Sequence, residues 1–135
     1  MERMTGIIFS DLGQASSFMA LEWVQDLLLL RLGYHPFPAT LNLRPKGAED
    51  AETWRRVQSE CVWTQLTPGS ASHCGAKLYR VEVHAAAHCA KIGGAVLLPE
   101  ISDYPRDKIE IVAPMRLKDH FDLRDGDQLT LEFLN

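Results

Sequence analysis

Hydrophobic positions recur along this chain with two periods, one of two residues and one of three to four, and the two mark strands and a helix respectively. From Tyr79 to Ala85 the alternation is strict: Tyr79, Val81, Val83 and Ala85 are apolar, with Arg80, Glu82 and His84 between them. That pattern predicts a half-buried strand. Leu129, Leu131 and Phe133 repeat it near the end of the chain, and Thr5–Phe9, Ala39–Leu43, Ala95–Leu98 and Ile109–Val112 are shorter strand candidates. Pro99 and Pro114 end the last two of these. Between Phe18 and Leu32 the period lengthens. Phe18, Leu21, Val24, Leu28 and Leu32 recur at three- and four-residue steps, which predicts one amphipathic helix, and Gly33, Pro36 and Pro38 supply its stop. Ala51–Val57 could form one or two helical turns within the polar stretch Lys46–Glu60, and Leu117–Phe121 is a short helical segment leading into the turn Arg124–Asp127. Gln65–Gly75, with Pro68, Gly69, Ser70, Ser72 and Gly75, reads as a loop. Many short strands and one good helix point to a mainly β chain, a small barrel with peripheral helices.

Composition narrows the class of partner. The 135 residues fit one compact domain, 1–135, and 46% hydrophobic with 24% charged residues excludes a disordered chain. Fourteen basic against eighteen acidic residues leave a net charge of −4 and no basic stripe, so a nucleic-acid partner is not expected and small molecules are. Cys61, Cys74 and Cys89 are odd in number with no Cys-x-x-Cys spacing, and no leader pattern opens the sequence. The thiols are therefore expected to be reduced and the location cytoplasmic. The longest apolar run, Leu27–Leu30, is broken by Arg31, far short of the ~20 residues of a membrane span.

Three features carry candidate chemistry. The loop Ser10–Ser17 precedes the predicted helix, and small residues there would let an anion approach the unpaired N–H groups of a helix start. The plainer reading is a helix capped by Ser16 or Ser17. Thr40 and Asn42, two apart on a strand, point to one face, where two neutral oxygens could ligate a hard cation such as Mg²⁺ or simply meet solvent. Glu110 faces away from the packed side of Ile109 and Ile111, and could hold a hydroxyl or accept its proton. His84, His88 and Cys89 have zinc-like spacing without an evident fourth ligand, and Trp23, Trp54 and Trp63 are too scattered to form a stacking platform.

Several blocks in this order resemble the CTP-dependent riboflavin kinases, a family known chiefly from archaea. They are Leu32-Gly33-Tyr34 running into Pro36 and Pro38, then Ala39-Thr40-Leu41-Asn42-Leu43 and Gly94–Pro99. Ile109-Glu110-Ile111-Val112-Ala113-Pro114, then Leu117 and Leu123–Asp127, complete the set. The resemblance implies a six-stranded cradle-loop barrel that binds CTP and riboflavin side by side and transfers the γ-phosphoryl group to the riboflavin 5′-hydroxyl, giving FMN and CDP. It implies Mg²⁺ on Thr40 and Asn42, and nucleotide contacts from Asp11, Leu12, Gly13, Gln14, Ala15 and Ser16 and from Met115, Arg116, Leu117 and Lys118. Flavin contacts are implied for Ser102 and Glu110, with Glu110 the catalytic residue. The expected state is a monomer or weak homo-oligomer. One departure stands out: where the family reads Gly-x-Gly-Glu-Gly followed by a basic residue, this chain reads Asp11-Leu12-Gly13-Gln14-Ala15 and then Ser16. A flavin- or nucleotide-binding relative without catalysis is the alternative that this departure raises.

Overall fold

A computed structural model describes residues 1–68 and 74–134, without the side chain of Gln14. Seven strands are present among these residues: β1 (Arg3–Phe9), β2 (Leu41–Pro45), β3 (Thr64–Leu66), β4 (Ala76–His84), β5 (Ile92–Pro99), β6 (Ile109–Val112) and β7 (Gln128–Phe133). Six of them, in the order β4-β5-β6-β2-β1-β7, close into a barrel through the pairing of β7 with β4. Every pairing is antiparallel. The expected six-stranded barrel is therefore present. The short β3 pairs with the first residues of β4, Ala76–Leu78, while β7 takes Val81–His84 further along the same edge.

The period-two alternation decides what fills this barrel. Met4 and Ile8, Leu43, Val81 and Val83, Val96, Ile109 and Ile111, and Leu129 and Leu131 all point inward and are buried together. The helix α3 (Ala48–Glu60) belongs to the same core, with Trp54 edge-on to Tyr79 at 5.8 Å and stacked on Phe133 at 5.9 Å. Burial of an indole this complete contributes about 3 kcal/mol or more. Glu49 and Asp50 in the first turn suit the helix dipole, and the Asp50 carboxylate also accepts a 2.8 Å bond from the Thr5 backbone N–H. This helix is longer than the turns expected over Ala51–Val57. Its only strongly apolar anchors are Trp54 and Val57 in a polar run, so the periodic signal was thin.

A second apolar layer lies outside the barrel wall. There Val24, Leu28 and Leu32 of α2 (Glu22–Leu32) cover Leu78, Ala95, Leu97 and Val112, together with the fully buried Met19. The single helix expected over Phe18–Leu32 is two: α1 (Gln14–Met19) ends before Leu21, whose extended ψ of 136° starts α2. The Gln25 side chain bridges the break by donating to the Met19 carbonyl at 2.8 Å and the Pro36 carbonyl at 3.1 Å. A two-residue interruption, Ala20 and Leu21, leaves the 3.6-residue spacing almost intact, which is why periodicity does not reveal it. Gly33, at φ 88°, ends α2 in the left-handed conformation that glycine adopts without strain. The loop expected over Gln65–Gly75 begins instead with β3, while Gly69, Ser70 and Ser72 lie outside the described residues. The last helix, α4 (Leu117–His120), precedes the Arg124–Asp127 turn, in which Gly126 has φ 93°.

The closest approach of backbone in the wall is at Gly94, where an added Cβ would meet the Val112 carbonyl oxygen at 2.7 Å, whereas at the neighbouring Gly93 it would meet nothing within 4 Å. Gly94→Ala is expected to lower stability by about 1–3 kcal/mol through forced separation of β5 from β6, with Gly93→Ala near neutral; thermal unfolding of the two variants checks this.

Candidate active site

Because the interior of the barrel is full, polar side chains on its strands must face outward. Across β5, β6, β2 and β1 the residues Leu97, Glu110, Asn42 and Phe9 stand in register, so Glu110 and Asn42 are direct cross-strand neighbours on the outer face. The helices α1 and α2 cover only part of that face. The remainder forms the floor of a cleft of about 540 Å³, roofed on one side by the loop between β1 and α1 and on the other by the loop between β5 and β6. A second cavity of about 120 Å³ adjoins it, and Ala39, Thr40, Leu41 and Lys118 line both.

Glu110 is the centre of the cleft. It is only 6% exposed and is the one buried carboxylate among the described residues. A buried carboxylate is tolerated when donors replace its lost water. Here the Thr40 hydroxyl donates to Oε1 at 2.9 Å and the Tyr104 hydroxyl donates to Oε2. Each oxygen has a second lone pair, so both can still receive a ligand proton. Burial, and then the bond to Glu110, push the Tyr104 phenol far above its ordinary range, which keeps it a donor at any physiological pH. Asn42 differs: its Oδ1 is buried without a hydrogen-bond partner among the described residues. An amide oxygen left this way costs on the order of 1–3 kcal/mol. With Thr40 Oγ1, whose proton goes to Glu110 and whose lone pairs remain, it makes an oxygen-only donor pair that fits a hard divalent cation. The residues present therefore fit Mg²⁺.

The cleft holds two lysines, and each is paired. Lys108 Nζ lies 2.6 Å from Asp11 Oδ2 and 5.7 Å from the centre of the Tyr104 ring. Asp11 Oδ1 accepts the Leu12 N–H at 2.8 Å. The bond from Lys108, reinforced by that N–H, holds the Asp11 carboxyl below the usual carboxylate range. Lys118, shared by both cavities, lies 2.9 Å from Asp125 Oδ1, and Ser10 Oγ donates to Asp125 Oδ2 at 2.6 Å.

The residues expected to form the site are distributed as follows. Asp11, Leu12, Gly13, Ala15, Ser16, Thr40, Asn42, Glu110 and Lys118 line the large cleft. Met115, Arg116 and Leu117 line the small cavity. Leu117 is buried, and Arg116 bonds Asp119 at 2.7 Å. Gln14 opens α1, with its side chain outside the described set. Ser102 is exposed and does not line the cleft, whereas Asp103, Tyr104 and Lys108 from the same loop do. The expected serine cap is absent: Gly13, at φ 74°, caps α1, and Ser16 Oγ donates back to the Gly13 carbonyl at 2.8 Å. His88 bonds the Phe121 carbonyl at 3.1 Å, and among the described residues no three His, Cys, Asp or Glu side chains gather as a metal cluster. Tyr104, Lys108 and Asp125 were not foreseen as site residues. Only Lys108 carried a signal, since it stands two residues before Glu110 and shares its face by alternation.

Comparison with known sequences gives the family. The family model labelled CTP-dep_RFKase, described as "Domain of unknown function DUF120", matches residues 8–133. The chain belongs to the CTP-dependent riboflavin kinase domain family. The riboflavin kinase of Pyrobaculum aerophilum is 32% identical over 135 residues, which cover 98% of this chain and 60% of that protein. Those of Methanococcoides burtonii and Archaeoglobus fulgidus are 30% and 27% identical, over 93% and 98% of this chain and 54% of each relative. The chain thus spans little more than half the length of the curated relatives it matches. The span shared with the family takes in every cleft residue from Phe9 to Lys118. No helix among the described residues is long and apolar enough to cross a membrane.

The Tyr104 phenol contributes stability that is present below the ordinary tyrosine value of 10.0 and is lost as pH rises above it, because its folded value is raised. Tyr104→Phe should therefore flatten the fall of stability above pH 10, and should remove one late-titrating phenol from the absorbance at 295 nm.

Proposed function

We propose that this domain transfers the γ-phosphoryl group of CTP to the 5′-hydroxyl of riboflavin, giving FMN and CDP. The observation that carries this reading is the gathering of Thr40, just before β2, with Asn42 and Glu110 on the outer face of the adjacent strands β2 and β6, in a cleft that Thr40 shares with the smaller cavity. Membership of the family supports the assignment of donor and acceptor.

In this reading the nucleotide runs from the loop of Asp11–Ser16 to the segment Met115–Lys118, with Lys118, common to both cavities, contacting phosphate. The ribityl chain enters beside Glu110 under the Tyr104 loop, with Tyr104 rather than the outward Ser102 turned toward it. Thr40 and Asn42 would hold Mg²⁺, which when bound neutralises charge on the phosphates. The residues of the chain do the positioning. Glu110 accepts a hydrogen bond from the 5′-hydroxyl, aligning its oxygen with the γ-phosphorus. As the new O–P bond forms and the bond to the β-phosphate oxygen breaks, the hydroxyl proton passes to Glu110. Thr40 and Tyr104 hold the carboxylate still throughout. The leaving CDP keeps the electron pair of the broken bond, with Lys118 beside its new charge. A cytoplasmic monomer or weak homo-oligomer acting on small molecules is the setting we assign to it.

The direct test is incubation of the pure protein with riboflavin, Mg²⁺ and CTP or ATP, followed by chromatographic separation of the flavins. FMN should form with CTP. Flavin binding with no FMN from any donor would overturn the kinase assignment in favour of a binding protein. Glu110→Gln should lower kcat by about a hundredfold while leaving CDP affinity within about twofold, since it removes the proton acceptor and leaves the phosphate contacts.

A further inference from the structure

We propose that Lys108 is a phosphate-binding residue of the cleft and that Asp11 is its built-in competitor, a carboxylate that must leave Lys108 when the phosphates of a nucleotide arrive. This rests on the nucleotide reading above and adds to it a cation and an internal anion that belong to this chain.

Four observations lead there. First, the pair joins the two roofs of the cleft: Asp11 lies on the loop after β1 and Lys108 at the foot of the loop before β6, 97 residues away. A closed pair across the mouth stands where an entering phosphate would pass. Second, the partners are held unequally. The Lys108 side chain is 20% exposed and lies over the Tyr104 ring, whereas that of Asp11 is 38% exposed. The stretch Ser10–Gly13 is exposed throughout. Among the described residues the only other bond of the Asp11 carboxylate is to the N–H of its own neighbour, Leu12. Asp11 can swing outward at little cost, and Lys108 stays.

Third, charge disfavours the closed pair once a triphosphate is bound, even with a divalent cation on Thr40 and Asn42. The charged side chains lining the cleft are Asp11, Asp103 and Glu110 against Lys108 and Lys118, a net of 3 − 2 = 1 negative charge. A triphosphate adds three or four more, and like charges at close range repel strongly where water is scarce. Removing Asp11 from Lys108 frees one cation where the anion is to sit. Fourth, Lys118 is the less available of the two lysines, since Asp125 is itself held by Ser10. A phosphate, with more charge and more acceptor oxygens than a carboxylate, wins the exchange at Lys108.

Competition and a structural clasp make opposite predictions, and calorimetric titration of the Mg²⁺-loaded protein with CDP separates them. Asp11→Asn keeps the shape of the side chain and its acceptor for the Leu12 N–H but removes the charge. It should tighten CDP about two- to fivefold, the scale on which one exposed ion pair acts. Lys108→Gln should weaken CDP by at least as much. The double variant should match Lys108→Gln alone, because the competitor has nothing left to compete for. Inorganic tripolyphosphate should follow the same order, which places the effect at the phosphates. Thermal unfolding confirms that each variant is folded. If both single variants weaken CDP, the pair is a clasp and the competition is wrong while the nucleotide site stands. If the unaltered protein binds neither CDP nor CTP, the nucleotide reading fails and this inference fails with it.

Discussion

Closing six strands into a barrel sends every second side chain into a space that apolar groups fill completely, and this constraint places all the chemistry of the domain on the outer wall. Met4, Ile8, Leu43, Val81, Ile109 and Leu131 leave the interior no room for a ligand. Glu110 and Asn42, one residue out of phase with those inward positions, therefore face outward and meet across β6 and β2. A site of this kind is bounded by what covers the wall. The helix α2 covers the part that carries Ala95, Leu97 and Val112, and two loops roof the remainder without filling it.

Burial then shapes the roles of the polar groups. Glu110 can remain in the wall because Thr40 and Tyr104 come to it from two different loops, one on each side. The carboxylate in turn fixes the Thr40 hydroxyl, and Asn42, whose Oδ1 has no partner among the described residues, stands opposite Glu110 on the neighbouring strand. Thr40, Glu110 and Tyr104 form one connected unit in which a change at Tyr104 reaches the Thr40 hydroxyl through Glu110. The lysines are arranged differently: each is neutralised by an aspartate on a neighbouring loop, which keeps the empty cleft nearly balanced in charge. The resulting site is rigid where a hydroxyl would be aligned and exchangeable where phosphates would enter.

Asp11 illustrates how a local departure from a family pattern is read differently once neighbours are known. As a residue in a loop it is an anion where the resemblance implies a phosphate. In the fold it is half of an ion pair whose other half, Lys108, lies 97 positions later. The loss of the basic residue at Ser16 is likewise set against a lysine that reaches the same cleft from the opposite loop.

By itself the sequence determined six of the seven strands, the barrel and the face on which Asn42 and Glu110 stand, because a period of two residues specifies orientation without reference to anything distant; Thr40, expected on a strand, lies just before β2. The Gly33 stop and the turn at Gly126 were legible for the same reason, since their backbone demands are local. It did not determine the break between α1 and α2, the full length of α3 or the addition of β3 to β4. A two-residue interruption, a helix with two apolar anchors and a three-residue strand leave almost no periodic trace. Nor did it reveal Tyr104, Lys108 or Asp125, or keep Ser102 out of the cleft. Only the tertiary structure decided these, because which side chains of an irregular loop turn inward depends on contacts between segments as far apart in the chain as Asp11 and Lys108, and no pattern of neighbouring residues encodes such a meeting.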